Sequence, residues 1–349
     1  MKNGSPDGEK IATWRVLEQK EIQAEKSRRE FANDVLLGLF STPKSVPSRY
    51  FYDDEGNRLF QKIMDIPDYY LTSCEMEILR ESKALFASHF GDEFFNLVEL
   101  GAGDGTKTNV LLEHFREKHY DFRYVPIDIC REAVVELVRH CGHILPEVPT
   151  EGLVSEYFDG LHWLSGVDRG RNVVLFLGSN IGNFTVSQSR VFLHSLRNAL
   201  NDGDYLLVGF DLKKDIGLLM KAYSDSLGVT AEFNLNLLRR INRELGGNFR
   251  IEAFEHYASY NVFSGTMESY LVSRKHQEVS VEAVRQKFSF QPWEPIHTEV
   301  SQKYLPADIT SLAEETGFEI VAEATDSRRY FTSSLWRVRK VPLSPAGKE

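Results

Sequence analysis

Cysteine is scarce in this chain of 349 residues, and its few thiols show no pairing pattern. Cys74, Cys130 and Cys141 form no C-x-x-C motif, which excludes a disulfide-rich scaffold and indicates the reduced thiols of a cytoplasmic protein. No apolar run approaches the roughly 18 residues that a membrane span needs. The N-terminal residues are rich in charged side chains, so we expect no signal peptide.

The chain also has fewer basic than acidic residues: it contains 41 Lys and Arg and 51 Asp and Glu, which gives a net charge of −10. Without a long basic run, a nucleic-acid-binding surface is not expected. The chain shows no metal-ligand cluster, nucleophile elbow or catalytic-triad spacing, so neither a bound metal nor a hydrolase is predicted. No internal repeat and no sign of an obligate protein partner is evident. The length allows one large domain or two modest ones.

The chain does contain a glycine-rich turn of a recognisable kind. An apolar run over residues 96–100 ends at alternating glycines, Gly101, Gly103 and Gly105, and a helical pattern starts at Thr106. A strand, a tight turn and a helix N-terminus in this order form the place where a parallel sheet binds a nucleotide-like ligand. The glycines let such a ligand approach the backbone closely.

Three ligands compete for this loop. A dinucleotide motif, G-x-G-x-x-G, and a P-loop both need glycine where Thr106 stands, although Lys107 and Thr108 match the P-loop. The pattern E-x-G-x-G-x-G, which we associate with methyltransferases that use S-adenosylmethionine, fits from Glu99 to Gly105 without mismatch. An ordinary strand-to-helix turn stays open as the alternative.

Strands and helices alternate on both sides of this loop, which predicts a doubly wound parallel sheet. The predicted strands are 96–100, 124–128, 153–156, 173–177 and 205–210, with helices at 106–118, 131–140 and 186–200. A helix over about 25–40 precedes them, and Thr72 with Glu75 predicts a capping box for a helix that ends near Phe90.

The alternation then breaks. Two helices over 214–246 and antiparallel strands over 250–303 form a second module, and strands at 319–323 and 335–339 return to the first sheet. The expected fold is α/β, a doubly wound sheet with an inserted α+β module. We expect disorder over 1–20 and a tail at 341–349.

Polar residues follow several predicted strands. Asp128 ends the second strand, where an acid can accept hydrogen bonds from two ribose hydroxyls, unless it only caps a helix. Glu156 and Tyr157 follow the third strand, where an adenine amino group and ring could be held. Asn183 lies in a glycine-rich loop after the fourth strand, where an acceptor amine would be presented.

Two further segments are candidates for the substrate side. Tyr52, Tyr69 and Tyr70 belong to an aromatic segment that could form an apolar wall with hydroxyl tips, or simply core. Strand alternation puts Glu299 and Ser301 on one face, and such a pair could bind an imidazole N–H. A solvated strand face is the alternative for this pair.

Together, these segments resemble the histidine-specific methyltransferase family of ergothioneine biosynthesis. The resemblance covers about residues 45–304, with a looser continuation to 340. Its motifs are, in order, Tyr50-Phe51-Tyr52-Asp53, Gly56, Leu59-Phe60, Pro67, Tyr69-Tyr70, Glu75-x-Glu77-Ile78-Leu79, Val98-Glu99-Leu100-Gly101-x-Gly103, Lys107-Thr108, Phe176-Leu177-Gly178-Ser179-x-Ile181-Gly182-Asn183, Ala222-Tyr223, Phe233-Asn234, Ile241-Asn242-Arg243-Glu244-Leu245 and Thr298-Glu299-Val300-Ser301-x-Lys303.

The resemblance implies a Rossmann-like methyltransferase sheet with an inserted α+β substrate-binding domain. Residues 21–71 and 214–303 would form the substrate domain, and 72–213 with 304–340 the methyltransferase domain. It also implies an enzyme that trimethylates the α-amino group of the small-molecule substrate L-histidine to give hercynine. The residues implied to hold S-adenosylmethionine are Tyr69, Gly101, Gly103, Lys107, Asp128, Glu156 and Tyr157. Those implied to bind the amino and carboxylate groups are Tyr52, Asn183 and Tyr223, with Gly178 lining the site, while Glu299 and Ser301 hold the imidazole. Of these, Tyr52 and Asn183 are expected to act in catalysis by orienting the amine.

Two positions depart from the family pattern. Glu156 stands where the family usually has Asp, which keeps the carboxylate but lengthens its reach. Ser269 aligns with a Met of the family's side-chain pocket and could reshape the pocket wall. The alternative substrate is therefore another aromatic amino acid, such as tryptophan, a tryptophan derivative or tyrosine. Glu299 and Ser301 favour histidine, because an indole has only one N–H to offer the pair.

Overall fold

The computed structural model describes residues 13–16, 20–167 and 170–340. The strands are β1 (Thr13–Val16), β2 (Lys44–Ser45), β3 (Phe95–Leu100), β4 (Phe122–Asp128), β5 (Glu151–Val154), β6 (Arg171–Phe176), β7 (Tyr205–Asp211), β8 (Phe254–Asn261), β9 (Thr266–Ser273), β10 (Gln277–Val281), β11 (Gln286–Phe290), β12 (Pro295–Gln302), β13 (Phe318–Thr325) and β14 (Phe331–Val338). The α-helices are α1 (Lys20–Phe40), α2 (Asp54–Met64), α3 (Tyr70–Ala87), α4 (Thr106–Glu117), α5 (Arg131–Ile144), α6 (Tyr157–Val167), α7 (Val186–Ala199), α8 (Ile216–Tyr223), α9 (Val229–Leu245) and α10 (Pro306–Thr316).

Eight strands form the main sheet, in the order β1-β5-β4-β3-β6-β7-β14-β13. The first six run parallel, and β14 and β13 add an antiparallel edge. The predicted doubly wound sheet, with its last two strands returning after a break, is confirmed. The strand order reverses between β3 and β6, and the crevice at such a switch point is where open α/β sheets bind ligands.

Both faces of the main sheet are covered, which explains its continuous apolar strands. Along β6, Val173 and Leu175 pack into one hydrophobic cluster, while Val174 and Phe176 pack into the cluster on the opposite face. Successive side chains of a strand point to opposite faces, so a strand buried on both sides has to be apolar throughout. Helices therefore pack on both faces of the sheet, and its strand ends remain as the edge where a ligand can enter.

A second, four-stranded sheet has the order β2-β12-β9-β8, and β10 pairs with β11 in a separate hairpin. These strands lie against α1, α2 and α9 over a third hydrophobic cluster, which includes Phe51, Phe233 and Leu271. The predicted antiparallel strands over 250–303 are confirmed, and Gly265, with φ +72°, lies in the tight turn between β8 and β9.

Two local predictions need correction. Part of the N-terminus expected to be disordered forms β1, which extends the sheet by pairing parallel with β5; residues 1–12 and 17–19, and the predicted tail at 341–349, lie outside the described residues. The third predicted strand, 153–156, begins earlier, at Glu151. Both strands are four residues long, too short for alternation to place them. Among the described residues, no helix is long and apolar enough to cross a membrane.

Candidate active site

The glycine-rich turn connects β3 to α4 with three residues of positive φ. Gly101, Gly103 and Gly105 have φ of +75°, +55° and +70°, a region that L side chains rarely adopt. A Cβ on Gly101 would lie 2.8 Å from the Tyr157 hydroxyl, whereas one on Gly103 would meet nothing within 4 Å. The turn is therefore packed on one side and open on the other, as a cradle for a ligand requires.

Asp128 stands beside this cradle at the end of β4. Its Oδ1 accepts a hydrogen bond from the Cys130 N–H at 2.9 Å, and its Oδ2 accepts from the Gly103 N–H at 3.5 Å. Burial raises the pKa of Asp128, and the backbone N–H groups oppose the rise. These contacts orient the carboxyl next to the glycine turn, where it can accept hydrogen bonds from a ribose.

Tyr157 begins α6 and also lies beside the turn, with its hydroxyl against Gly101. Its ring meets Phe176 edge to face, at 6.0 Å between centroids. Glu156 precedes it and is exposed. Asp128, Tyr157 and the glycine turn thus come together, and Glu156 lies at the rim of this group.

Glu75 connects the glycine turn to the loop after β6. It is buried, accepts hydrogen bonds from the Gly178 N–H at 2.9 Å, and pairs with the Lys107 ammonium at 2.7 Å. The predicted capping box of Thr72 and Glu75 is wrong, because α3 starts at Tyr70 and Thr72 is already inside the helix. Lys107, which the sequence assigns to the cofactor, therefore bonds to Glu75 between the two loops.

Aromatic rings line a cavity next to this loop. Tyr52 lies 5.7 Å from Phe60 and 5.6 Å from Phe233, and Phe60 lies 6.3 Å from Tyr69, all between ring centroids. We call these four residues the aromatic cage. Burial raises the pKa of both the Tyr52 and the Tyr69 hydroxyls well above the usual value, so both stay protonated near neutral pH. The cage is uncharged and presents hydroxyl donors.

The loop after β6 forms a second wall of the same cavity. Gly178 and Ser179 have positive φ, +74° and +56°, and a 3₁₀ turn follows over Asn180–Asn183. Gly178 and Asn183 both line the cavity together with the aromatic cage. The turn in the chain at Gly178 and Ser179 thus brings Asn183 to the wall of the cavity that Tyr52 also lines.

The third wall comes from β12 and α8. Glu299, Ser301 and Tyr223 line the cavity, and the Tyr223 hydroxyl is hydrogen-bonded to Ser301 Oγ at 2.7 Å. Burial raises the pKa of Glu299 to about 7, while a hydrogen bond from Ser269 opposes the rise. Ser269 is buried on the paired strand β9 and donates to the Glu299 carboxylate at 3.1 Å. The structure thus places Ser269 against Glu299, outside the residues that line the cavity.

The predicted site residues fall into two adjoining groups, one around the glycine turn and one around the cavity. The sequence assigned no role to Phe60 and Phe233, which complete the aromatic cage, and gave Glu75 only a capping role. It quoted Lys303 as a motif residue without a role, although Lys303 is fully buried and contacts Tyr223 and Ser301. The same alternation that pairs Glu299 with Ser301 extends to Lys303 and would have revealed it.

A family model described as histidine-specific methyltransferase, SAM-dependent, matches residues 31–338. The histidine N-alpha-methyltransferase of Mycolicibacterium smegmatis is 36% identical over 314 residues, which cover 90% of this chain and 97% of the relative. That of Mycobacterium tuberculosis is 37% identical over 303 residues, covering 86% and 93%. The L-tryptophan methyltransferase of Psilocybe serbica is 27% identical over 312 residues, covering 81% and 86%.

The family match spans both the glycine turn with Asp128 and the cavity with Glu299. Its S-adenosylmethionine dependence agrees with the open cradle at Gly103 and the oriented carboxyl beside it. The chain therefore belongs to the histidine-specific, S-adenosylmethionine-dependent methyltransferase family.

Proposed function

We propose that this protein methylates the α-amino nitrogen of free L-histidine three times, giving hercynine, a reaction of ergothioneine biosynthesis. One observation carries the choice of substrate: a buried carboxyl, Glu299, and a hydroxyl, Ser301, stand side by side on the cavity wall. A neutral imidazole offers one N–H donor and one nitrogen acceptor. A carboxylate accepts the first and a hydroxyl donates to the second, so the pair complements the ring.

The same pair complements an indole poorly. An indole has a single N–H and no acceptor nitrogen, so the Ser301 hydroxyl would gain no partner from it. A site built to hydrogen-bond a substrate rejects an analogue that leaves its buried polar groups unpaired. Ser269 donates to the Glu299 carboxylate, so the departure from the family pattern at this position leaves Glu299 in the cavity wall.

The residues around the glycine turn fit S-adenosylmethionine. Gly101 and Gly103 would admit its methionyl portion, Asp128 would accept hydrogen bonds from its ribose, and Glu156 and Tyr157 would hold its adenine. Tyr69 and Lys107 would lie toward the reacting end, next to the cavity. When bound, the cofactor supplies an electrophilic methyl group on a positively charged sulfur.

The residues of the cavity orient the amine. The nitrogen must be neutral to attack, so a proton leaves before each transfer. The Asn183 amide oxygen and the Tyr52 phenol oxygen can accept hydrogen bonds from the amine N–H groups and thereby direct its lone pair. Tyr52 keeps its own proton, because burial raises its pKa, and it is therefore a positioning group and not the base.

The aromatic cage explains how methylation can continue to completion. Each transfer leaves a more substituted nitrogen, and the product is a permanent cation. Tyr52, Phe60, Tyr69 and Phe233 present ring faces or edges around the place of the amine, and a cation is favoured next to aromatic faces. The cage thus accommodates methyl groups that a polar pocket would exclude.

We also propose the division of the chain into a substrate domain of residues 21–71 and 214–303 and a methyltransferase domain of residues 72–213 and 304–340. The hydrophobic cluster that joins α1, α2 and α9 to the second sheet supports this division. A reducing compartment, the cytoplasm, is the proposed location, since Cys74, Cys130 and Cys141 are all unpaired.

The substrate is tested by incubating the protein with S-adenosylmethionine and an equimolar mixture of the common amino acids, followed by mass spectrometry. We expect a gain of three methyl groups on histidine alone. A gain on tryptophan or tyrosine instead would refute the histidine assignment and leave the cofactor assignment intact. Ser269→Met serves as the matched variant, because it restores the family's residue: it should keep histidine as substrate.

A further inference from the structure

Lys303 is the most deeply buried cation of the site. Its ammonium donates to Asp211 Oδ2 at 2.7 Å, to the Tyr223 hydroxyl at 2.7 Å and to Ser301 Oγ at 2.8 Å. A lysine ammonium has three donors and no acceptor, so all three donors are used. An ammonium is costly to bury unless it is paired in this way. The fold therefore maintains a cation behind two substrate-facing hydroxyls.

Asp211 anchors this cation at the end of β7. Its carboxylate is fully buried, accepts hydrogen bonds from the Tyr70 hydroxyl at 2.9 and 2.8 Å, and pairs with Lys214 as well as with Lys303. Lys214 bonds to Asp211 and Tyr70. Asp211 thus pairs with two cations, and of these Lys303 also bonds to the two hydroxyls of the cavity wall.

The hydrogen bonds from Lys303 determine which protons the Tyr223 and Ser301 hydroxyls can still donate. Tyr223 and Ser301 each accept one hydrogen bond from Lys303, and they share one hydrogen bond of 2.7 Å between them. The oxygen that accepts the shared bond then has both acceptor positions occupied. Its own proton has no partner among the described residues. The pair is consequently left with one O–H donor to offer to the cavity.

We propose that Lys303 is a positioning residue that makes the Tyr223–Ser301 pair a hydrogen-bond donor toward the substrate. Either hydroxyl can donate the shared bond in the free protein. Ser301 is two residues from Glu299 on the same strand face, so a ring whose N–H bonds to Glu299 brings its acceptor nitrogen to Ser301. In that complex Tyr223 donates the shared bond and Ser301 donates its proton to the ring. The site thereby selects the neutral imidazole and disfavours the imidazolium, which has no acceptor nitrogen. This inference rests on the proposed histidine substrate.

The test compares three variants by calorimetric titration of L-histidine in the presence of S-adenosylhomocysteine. We expect Lys303→Met to weaken histidine binding about tenfold, the effect of losing one oriented hydrogen bond. Ser301→Ala should weaken it by a similar factor. Because both changes remove the same hydrogen bond, the double variant should bind no more weakly than either single variant. Affinity for S-adenosylhomocysteine should change less than about twofold.

Lys214→Met is the matched control. Lys214 also pairs with Asp211, but it bonds to Tyr70 and not to Tyr223 or Ser301. The variant should leave histidine affinity unchanged. If Lys303→Met does not fold, the combination of Asp211→Asn, Lys214→Met and Lys303→Met removes all three charges of the buried cluster and is titrated in its place.

Three results would each overturn the positioning role. The losses of histidine affinity could multiply in the double variant, Lys214→Met could lose as much affinity as Lys303→Met, or Lys303→Met could bind histidine as well as the wild type does. Failure of the wild-type protein to bind histidine at all would instead refute the proposed function, so the two failures are distinguishable.

Discussion

Glu299→Gln should make the protein more stable at neutral pH while it weakens substrate binding. Burial raises the pKa of this carboxyl from 4.5 to about 7. Each pKa unit corresponds to about 1.4 kcal/mol, so ionising Glu299 in the folded protein costs about 3 kcal/mol more than in the unfolded chain. Since the folded pKa is the higher one, this group's contribution to stability is lost as pH rises from 4.5 through 7 and stays lost above 7.

The assay is urea unfolding of the ligand-free protein and the variant between pH 4 and pH 8. The variant cannot ionise at this position, so its free energy of unfolding should exceed that of the wild type by an amount that grows up to pH 7 and then levels off. A total difference of about 2–3 kcal/mol is expected at unchanged m. Glu278→Gln, which removes an exposed carboxylate, is the control and should give a difference that does not change over this range. A flat difference for Glu299→Gln would refute the account of a strongly perturbed carboxyl.

The same variant, Glu299→Gln, should also bind L-histidine more weakly. An amide accepts a hydrogen bond from an imidazole N–H more weakly than a carboxylate does, and hydrogen bonds to charged groups contribute about 1.5–3 kcal/mol. Histidine affinity should therefore fall about 10- to 100-fold in Glu299→Gln. Affinity for S-adenosylhomocysteine should be retained. A variant that is both more stable and a weaker binder shows that the carboxyl is kept for recognition at the expense of stability.

Three further predictions concern other parts of the site. Tyr52→Phe should slow methyl transfer and let partly methylated product accumulate, as seen by mass spectrometry at partial conversion; an unchanged product distribution would remove Tyr52 from the mechanism. Gly103→Ala places a methyl group in the open cradle at a strained φ, so calorimetry should show weaker S-adenosylhomocysteine binding, and equal affinity would contradict the assignment of the cradle. Glu75→Gln breaks the ion pair with Lys107 and weakens the hydrogen bond from Gly178, so the free energy of unfolding in urea should fall by about 1–3 kcal/mol, whereas an unchanged value would show that this connection does not stabilise the fold.

The sequence predicts the main sheet well, because long strands buried on both faces leave an unmistakable apolar pattern. Residues 173–177 and 205–210 are such runs, and both are strands of the described structure. The return of the last two strands to the sheet also follows from the pattern. The strand at Thr13–Val16 was missed, because four residues at an edge carry too little periodicity to be distinguished from a loop.

Contacts between distant segments were harder to predict. Glu75 matches the spacing of a capping box, but its partners Lys107 and Gly178 are far away in sequence, and no local rule indicates them. The same holds for Lys303, whose partner Asp211 ends a strand of the other sheet. Burying a charge costs free energy unless the charge is paired, so the role of such a residue can be assigned only when the structure shows its partner. The roles assigned to Glu299, Ser301 and Asp128 stay predictions that the experiments above address.

The central claim is that the cavity holds the imidazole ring at Glu299 and Ser301 and presents the α-amino nitrogen for methylation. The most direct measurement uses S-adenosylmethionine carrying a ¹³C-labelled methyl group, with L-histidine as acceptor and NMR of the product. The account predicts a single labelled signal from three equivalent methyl groups on the α-nitrogen. Labelled methyl groups on a ring nitrogen would contradict it, because they would show that the ring, and not the amine, faces the cofactor.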